Sequence, residues 1–176
     1  MTDLPPPHAA DLTAALAASG GTVTQFLEEL AGETVDADIL AQETEPAGPD
    51  NRLGLDPGAE LLRREVLLTG RATGRRFVYA ESAIAAGRLP RSLRKRLEHS
   101  REPIGRVLMD HGIGMRRTAL DGSVIARSTD RRVEALIREA PLSRRYLIVS
   151  GGNPVIVVNE WFLPVVAETL ASLPRG

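Results

Sequence analysis

Glu160 is a carboxylate placed within an otherwise apolar strand. Residues 153–164 (NPVIVVNEWFLP) have the β-branched and aromatic composition of a strand. Side chains alternate between the two faces of a strand, so Glu160 shares its face with Val158 and Phe162. A carboxylate buried alone is costly, and it needs a partner or a change in protonation. Glu160 is therefore a candidate for acid–base chemistry or for hydrogen bonding to a ligand.

Arg64 is the corresponding anomaly in a second strand, residues 60–70 (ELLRREVLLTG), where it shares its face with Leu62, Val66 and Leu68. A cation and an anion that each lie on an apolar face are natural candidates to meet in one pocket. An arginine there can hold a carboxylate through two parallel hydrogen bonds. Periodicity alone leaves two other interpretations open, a structural salt bridge and charges on a solvated strand edge.

Other chemically useful side chains give weaker signals. His8, His99 and His111 are scattered and lack the spacing of a metal site such as HExxH. Residues 150–152 (SGG) lie between two strands rather than before a helix, which favours a turn over a phosphate loop. GxGxxG, Walker and GxSxG motifs are absent from the sequence. We therefore expect neither a metal nor a cofactor.

The elements that would position these side chains form two predicted hairpins, at 60–85 and 144–164. The sequence also predicts helices at 11–20, 22–32 (capped by Thr22 or Thr24), 92–100, 103–112 and 130–140, strands at 35–46 and 114–123, and a loop at 47–58. Hairpins alternating with helices, without a βαβ rhythm, indicate an α+β fold with one antiparallel sheet. Residues 1–18 are expected to form a leader, extended at Pro5–Pro7, and a helix, and residues 19–176 the single domain.

The composition excludes several classes of function. The 176-residue chain is 43% hydrophobic and 26% charged, with a net charge of -1, which gives no case for binding nucleic acid or membranes. Cysteine is absent, so disulfides, thiolate metal sites and cysteine nucleophiles are excluded. No signal peptide is visible, and no apolar run approaches the roughly 20 residues of a membrane span. We expect a cytoplasmic protein with a small-molecule partner; the oligomeric state is left open.

Taken in order, the motifs REVLL, YAESAIAAGRLP, EPIGRVL and RRYLIVSGGNPVIVVNEWFLP resemble the chorismate lyase family. The resemblance is to the branch that makes 4-hydroxybenzoate in actinobacteria and some archaea, and SGGTVTQFLEEL resembles that branch as well. It extends with gaps from about residue 19 to residue 164. It implies an antiparallel sheet with flanking helices that enclose a buried ligand beneath mobile helical flaps, and no metal or cofactor.

The resemblance also implies roles for individual residues. Arg64 would bind a substrate carboxylate, and Glu160 would be the acidic residue of the site, acting as acid, base or hydrogen-bond partner. The backbone amides of Ile104 and Val23 would hold the ring carboxylate, and exposed amides at a helix start do attract anions.

One position departs from the pattern. The enterobacterial branch of the family has an arginine where this chain has Glu81. If that arginine binds substrate, its task would pass to another cation, with Arg76, Arg145 and Arg117 as the candidates. Glu81 shares its face with Tyr79 and would itself contact substrate as a second acid.

The expected function is a chorismate lyase, which eliminates pyruvate from chorismate, leaves 4-hydroxybenzoate and is inhibited by that product. The alternative is a non-catalytic effector-binding domain of the same fold, as in bacterial transcription regulators. The residues before position 19 are too few for a DNA-binding helix-turn-helix domain, which favours the enzyme.

Overall fold

Six antiparallel strands form one continuous sheet in a computed structural model that describes residues 7–112, 114–122, 126–128 and 130–174. The strand order is β1-β2-β3-β6-β5-β4. The strands are β1 (Val35–Pro46), β2 (Glu60–Gly70), β3 (Arg76–Ile84), β4 (Met115–Ala119), β5 (Leu142–Ser150) and β6 (Asn153–Phe162). Both predicted hairpins are confirmed, and β4 is shorter than predicted. The α+β class and the antiparallel sheet are confirmed.

Among the described residues, six α-helices and one short 3-10 helix flank the sheet. They are α1 (Pro7–Ser19), α2 (Val23–Ala31), the 3-10 helix (Ala86–Arg88), α3 (Arg91–His99), α4 (Ile104–Asp110), α5 (Arg131–Glu139) and α6 (Pro164–Ala171). The extended leader was predicted to include Pro7, but Pro7 is the first residue of α1. Residues 5 and 6 of the predicted leader lie outside the described part. Helix α6 was not predicted. Within the described part, none of these helices is both long and apolar enough to cross a membrane.

The helices divide the sheet face that carries Arg64 and Glu160 into two apolar regions. At one end, α1, α2 and α6 pack on β2, β3 and the end of β6, burying side chains such as Leu12, Phe26 and Phe162. At the other end, α3 and α4 pack on β5 and β6, burying Leu93 and Val107. The opposite face of the sheet is covered by α5 and by the loop around residue 53. Both faces are therefore covered, and a charged residue on either face can be buried.

The first turns of α2 and α4 meet over the sheet. Thr22 caps α2 in a capping box with Gln25, as one of the two predicted caps. A Cβ atom added at Gly105 would lie 3.0 Å from Cβ of Thr22, so the close approach of the two helix starts favours glycine there. An ion pair between Arg106 and Glu28 fixes the same pair of helices further along. The sequence thus places two helix N-termini side by side above β2.

Candidate functional site

A cavity of about 540 Å³ lies between the two apolar regions, on the sheet face that carries Arg64 and Glu160. Arg64 pairs with Ser82 across β2 and β3, and Ala80 pairs with Glu160 across β3 and β6. Glu160 therefore lies two strands away from Arg64, roughly 10 Å measured across the strands. Because Ala80 and Ser82 between them are small, the centre of the sheet leaves space for a ligand. The residues that line the cavity also include Val23, Thr24, Val66, Leu68, Ile104, Leu108, Met115, Arg117, Tyr146 and Val158.

Arg64 is a buried cation with unused hydrogen-bond donors. It has the largest side chain among the fully buried residues of the described part, and 1% of its surface is exposed. Nη2 donates to the backbone carbonyls of Ser100 and Glu102, both at 3.0 Å. Among the described residues, Nε and Nη1 have no partner. Burial lowers the pKa of Arg64 to about 10, so the guanidinium stays charged at neutral pH and favours an anion in the cavity.

Glu160 is buried beside two donors from β5. The Tyr146 hydroxyl donates to Oε1 at 2.7 Å, and Nη2 of Arg144 donates to Oε2 at 2.9 Å. Burial and the nearby charge of Glu160 raise the pKa of Tyr146 well above its usual value, so the phenol stays a neutral donor. Glu160 has 4% of its surface exposed, which excludes the solvated-edge interpretation. Its ion-pair partner in the described part of the chain is Arg144 rather than Arg64, which excludes a direct salt bridge between the two predicted residues.

The two residues predicted to offer backbone amides, Val23 and Ile104, both line the cavity. Each is the first residue of its helix, α2 and α4 respectively, where the backbone N–H has no acceptor within the helix. Among the described residues, neither N–H donates a hydrogen bond. Unpaired amides on the cavity wall add to its preference for negative charge.

Of the three cations proposed to replace the missing arginine, Arg117 lines the cavity. It is exposed at the cavity mouth, where Nη1 donates to the carbonyl of Gly21 at 2.9 Å. Arg145 lines a different cavity, and Arg76 is exposed at the start of β3. The sequence reasoning overlooked Arg144 and Tyr146. The register of the second hairpin could have found Arg144, because it pairs directly with Glu160.

Glu81 was expected to contact substrate together with Arg64. The strand register instead places Glu81 on the opposite face of the sheet, away from the cavity that Arg64 lines. Ser82 pairs with Arg64 and takes the position facing the cavity. Glu81 accepts hydrogen bonds from the Tyr79 hydroxyl at 2.8 Å and from the backbone amides of Arg127 and Ser128 at 2.7 and 3.1 Å. Burial raises the pKa of this carboxyl. It lines a separate cavity of about 280 Å³.

Two of the histidines interact within their own segments. His99 contacts the carbonyl of Lys95 at 2.8 Å and His111 that of Val107 at 3.1 Å, each one helical turn earlier. The side chain of His8 lies outside the described part. In the described ranges, no three His, Asp or Glu residues are grouped so that they could hold a metal ion.

Comparison with known proteins identifies the family. A profile described as Chorismate pyruvate-lyase Rv2949c-like matches residues 17–170. The chain belongs to this family. It is 31% identical over 159 residues to a chorismate pyruvate-lyase of Mycobacterium tuberculosis, covering 84% of this chain and 77% of the relative. It is 32% identical over 153 residues to a chorismate pyruvate-lyase of Mycobacterium leprae, covering 84% of this chain and 72% of that protein. The resemblance inferred from the motifs is confirmed.

Solved structures with a similar fold include effector domains of bacterial regulators. PhnF from Mycobacterium smegmatis superposes with a TM-score of 0.55 and 20% identity, over 82% of this chain and 64% of that chain, so the match spans less than two thirds of PhnF. The separate PhnF effector domain gives a TM-score of 0.54, over 82% of this chain and 90% of the domain. The C-terminal domain of a histidine utilization repressor from Pseudomonas syringae gives 0.53 at 12% identity, over 81% and 96% of the two chains. At these identities the likeness shows the fold alone.

Replacing Arg64 with Met should stabilise the ligand-free protein. The folded pKa of about 10 lies below the ordinary value of an arginine, so the protonated guanidinium favours the unfolded state at neutral pH. This penalty is relieved as the pH rises from the folded pKa towards the unfolded one. Arg64→Met removes the buried charge and should raise Tm by roughly 2–6 °C in thermal unfolding at pH 7. The control, Arg76→Met on the exposed start of β3, should leave Tm unchanged. A lower Tm in Arg64→Met would show that the hydrogen bonds to Ser100 and Glu102 outweigh the cost of burial.

Proposed function

We propose that this protein is a chorismate lyase that converts chorismate to 4-hydroxybenzoate and pyruvate in the cavity between Arg64 and Glu160. The observation that carries the proposal is a buried arginine with two unused donors that shares one cavity with a buried glutamate. Membership of the chorismate pyruvate-lyase family supplies the substrate. The reaction involves no net redox change, so we expect no cofactor or metal, and we place it in the cytoplasm.

The reaction removes a proton and an enolate from adjacent ring carbons. The C–H bond at the hydroxyl-bearing carbon breaks, and its electron pair completes the aromatic ring. The neighbouring C–O bond breaks, and its electron pair leaves on the enolpyruvyl oxygen. The released proton balances protonation of the enolate carbon, which gives pyruvate. Because aromaticity drives the step, the protein needs to orient the substrate, stabilise the departing negative charge and assist the proton.

Arg64 suits the binding of the ring carboxylate. Its Nε and Nη1 form no hydrogen bond within the described part of the protein, so each can donate to an anion in the cavity. The free amides of Val23 and Ile104 offer further donors on the same wall. The surrounding Val66, Leu68 and Leu108 exclude water, which strengthens each of these interactions.

Glu160 lies across the cavity from Arg64, where the opposite side of the ring would lie. The carboxylate can accept the ring proton or accept a hydrogen bond from the substrate hydroxyl, and Arg144 supplies the positive charge that keeps its electrostatic cost low. Arg117 at the mouth suits the second carboxylate, the one on the enolpyruvyl group, and would stabilise negative charge as the enolate departs. These placements give each of the two substrate carboxylates its own cation.

The alternative is an effector-binding domain without turnover. The regulator domains that share the fold favour it, since a cavity of this kind serves binding as well as catalysis. The named relatives at 31% and 32% identity favour the enzyme. Turnover separates the two functions, because an effector domain binds chorismate or its product and releases no pyruvate.

The purified protein should convert chorismate to equal amounts of 4-hydroxybenzoate and pyruvate without any addition and in the presence of a chelator. The products are identified by chromatography of the aromatic acid and by a coupled assay for pyruvate. Tight binding of 4-hydroxybenzoate with no pyruvate formed would replace the enzyme with the effector-binding alternative. Loss of activity with chelator would contradict the proposed metal-free site.

Substitutions at the two ends of the cavity should have different kinetic effects. Arg64→Ala should raise KM by roughly 10–100-fold, because charge-assisted hydrogen bonds to the carboxylate are lost, and should also lower kcat through poor orientation. Glu160→Gln keeps the shape of the side chain but cannot take a proton, so kcat should fall by about 10²–10⁴-fold with a smaller effect on product binding. Arg76→Ala is the matched surface control. Near-normal kcat in Glu160→Gln would leave Glu160 as a binding residue only.

Release of 4-hydroxybenzoate, rather than chemistry, should limit kcat. Product and substrate share the ring carboxylate, so the donors that bind one also hold the other beneath α2 and α4. Rapid mixing with excess chorismate should show an initial burst of about one equivalent of pyruvate per chain, followed by a slower steady rate. Added 4-hydroxybenzoate should inhibit well below millimolar concentration. A linear progress curve with weak product inhibition would show that the cover opens freely.

A further inference from the structure

We infer that Tyr146 is a positioning residue that connects the two charged groups of the proposed reaction, holding the carboxylate of Glu160 through its hydroxyl and the guanidinium of Arg117 through its ring. This inference rests on the proposed lyase function. Tyr146 belongs to β5, lines the cavity and has 9% of its surface exposed. It is placed between the buried acid and the cavity mouth.

The hydroxyl of Tyr146 fixes one oxygen of Glu160. It donates to Oε1 at 2.7 Å, while Arg144 donates to Oε2 at 2.9 Å, so each carboxylate oxygen has one partner on β5. Tyr146 pairs with Val158 and is therefore the diagonal neighbour of Glu160 on the same sheet face. Because this phenol keeps its proton, it acts as a donor across the working pH range. The carboxylate is thereby held in one orientation towards the cavity.

The ring of Tyr146 supports the cation at the mouth. The guanidinium carbon of Arg117 lies 5.6 Å from the ring centroid, within the range of a cation–π interaction. The guanidinium of Arg144 lies at the same distance from that ring. Within the described part of the chain, the Arg117 side chain donates one hydrogen bond, to the carbonyl of Gly21. An exposed arginine with one such hydrogen bond depends on the ring for its orientation.

The charged and titratable groups around Glu160 come from the strands. They are Tyr146 and Arg144 on β5, Arg117 on β4 and Arg64 on β2. The residues that α2 and α4 present to the cavity, within the described part, are uncharged. The effect of a substitution at one of these groups can therefore be assigned to that group.

Removing the hydroxyl alone should affect the chemical step. In Tyr146→Phe, the single-turnover rate measured by rapid mixing should fall by roughly 10–100-fold while KM changes little, and the pyruvate burst should disappear because chemistry becomes limiting. The donor holds one oxygen of the carboxylate, so its loss leaves Glu160 less well oriented for proton transfer.

Removing the ring should add a binding defect. In Tyr146→Leu, KM for chorismate should rise by roughly 3–10-fold beyond that of Tyr146→Phe, because Arg117 loses its aromatic support. Arg117→Ala in the Tyr146→Leu background should then raise KM less than it does in the wild-type background. Equal effects of Arg117→Ala in both backgrounds would overturn the ring's role.

Tyr79→Phe is the matched control. Tyr79 is also buried in the sheet and also donates to a glutamate, Glu81, at 2.8 Å, but on the opposite face. Tyr79→Phe should leave the single-turnover rate unchanged at each pH tested, even if it lowers Tm. A rate loss in Tyr79→Phe equal to that in Tyr146→Phe would show that both tyrosines act only through stability, which would overturn the inference.

A measurement without turnover keeps the inference separate from the proposed function. The carboxyl carbon of Glu160 can be observed by 13C NMR in the ligand-free protein, with its signal assigned by its absence in Glu160→Gln. In Tyr146→Phe this signal should move at a fixed pH because Oε1 loses its hydrogen bond, whether or not the wild type releases pyruvate. An unchanged signal overturns the positioning role of the hydroxyl, and an inactive wild type with a moved signal overturns the lyase function alone.

Discussion

The guanidinium of Arg64 carries a positive charge beneath two helices, on a largely apolar sheet face, and much of the site follows from how that charge is accommodated. Two of its hydrogen bonds go to backbone carbonyls at the end of α3 and just before α4, at Ser100 and Glu102. Those carbonyls belong to the segment that covers the cavity. The same side chain therefore attracts an anion and holds part of the cover, so occupancy of the cavity and the position of the cover are thermodynamically linked.

The negative side of the site is built differently. Glu160 has its partners, Tyr146 and Arg144, on the neighbouring strand of its own hairpin. Pairing within a hairpin is local in sequence and fixed by the turn, so the acid is held independently of the helices that lie over the cavity. The structure thus joins one charge to the helical cover and the other to the sheet. A ligand that contacts both charges would connect the two.

Alternation along single strands places Arg64 and Glu160 each on an apolar face, but it leaves a salt bridge and a solvated strand edge open as alternatives. The hairpins and most helices also follow from local patterns, such as the Thr22 cap and Gly32 at the end of α2. What alternation along one strand cannot give is its registration against the next strand. The position of Glu81 on the opposite face depends on the pairing of Arg64 with Ser82, which a register shift between Leu68 and Thr69 separates from the turn of the hairpin. Helix α6 was overlooked because Pro164 was taken as the end of the last strand, whereas β6 ends at Phe162 and Pro164 is the first residue of a helix.

The central strand of the sheet has a consequence for selectivity. Ala80 and Ser82 separate the two charged residues, and the length of the cavity between the charges depends on the volume of these two side chains. Neither of them takes part in the proposed chemistry. Gain or loss of a methyl group at Ala80 would change which ring systems fit without altering a single charge. The scaffold can therefore diverge towards new aromatic ligands through substitutions at uncharged positions, while its electrostatic framework is inherited unchanged.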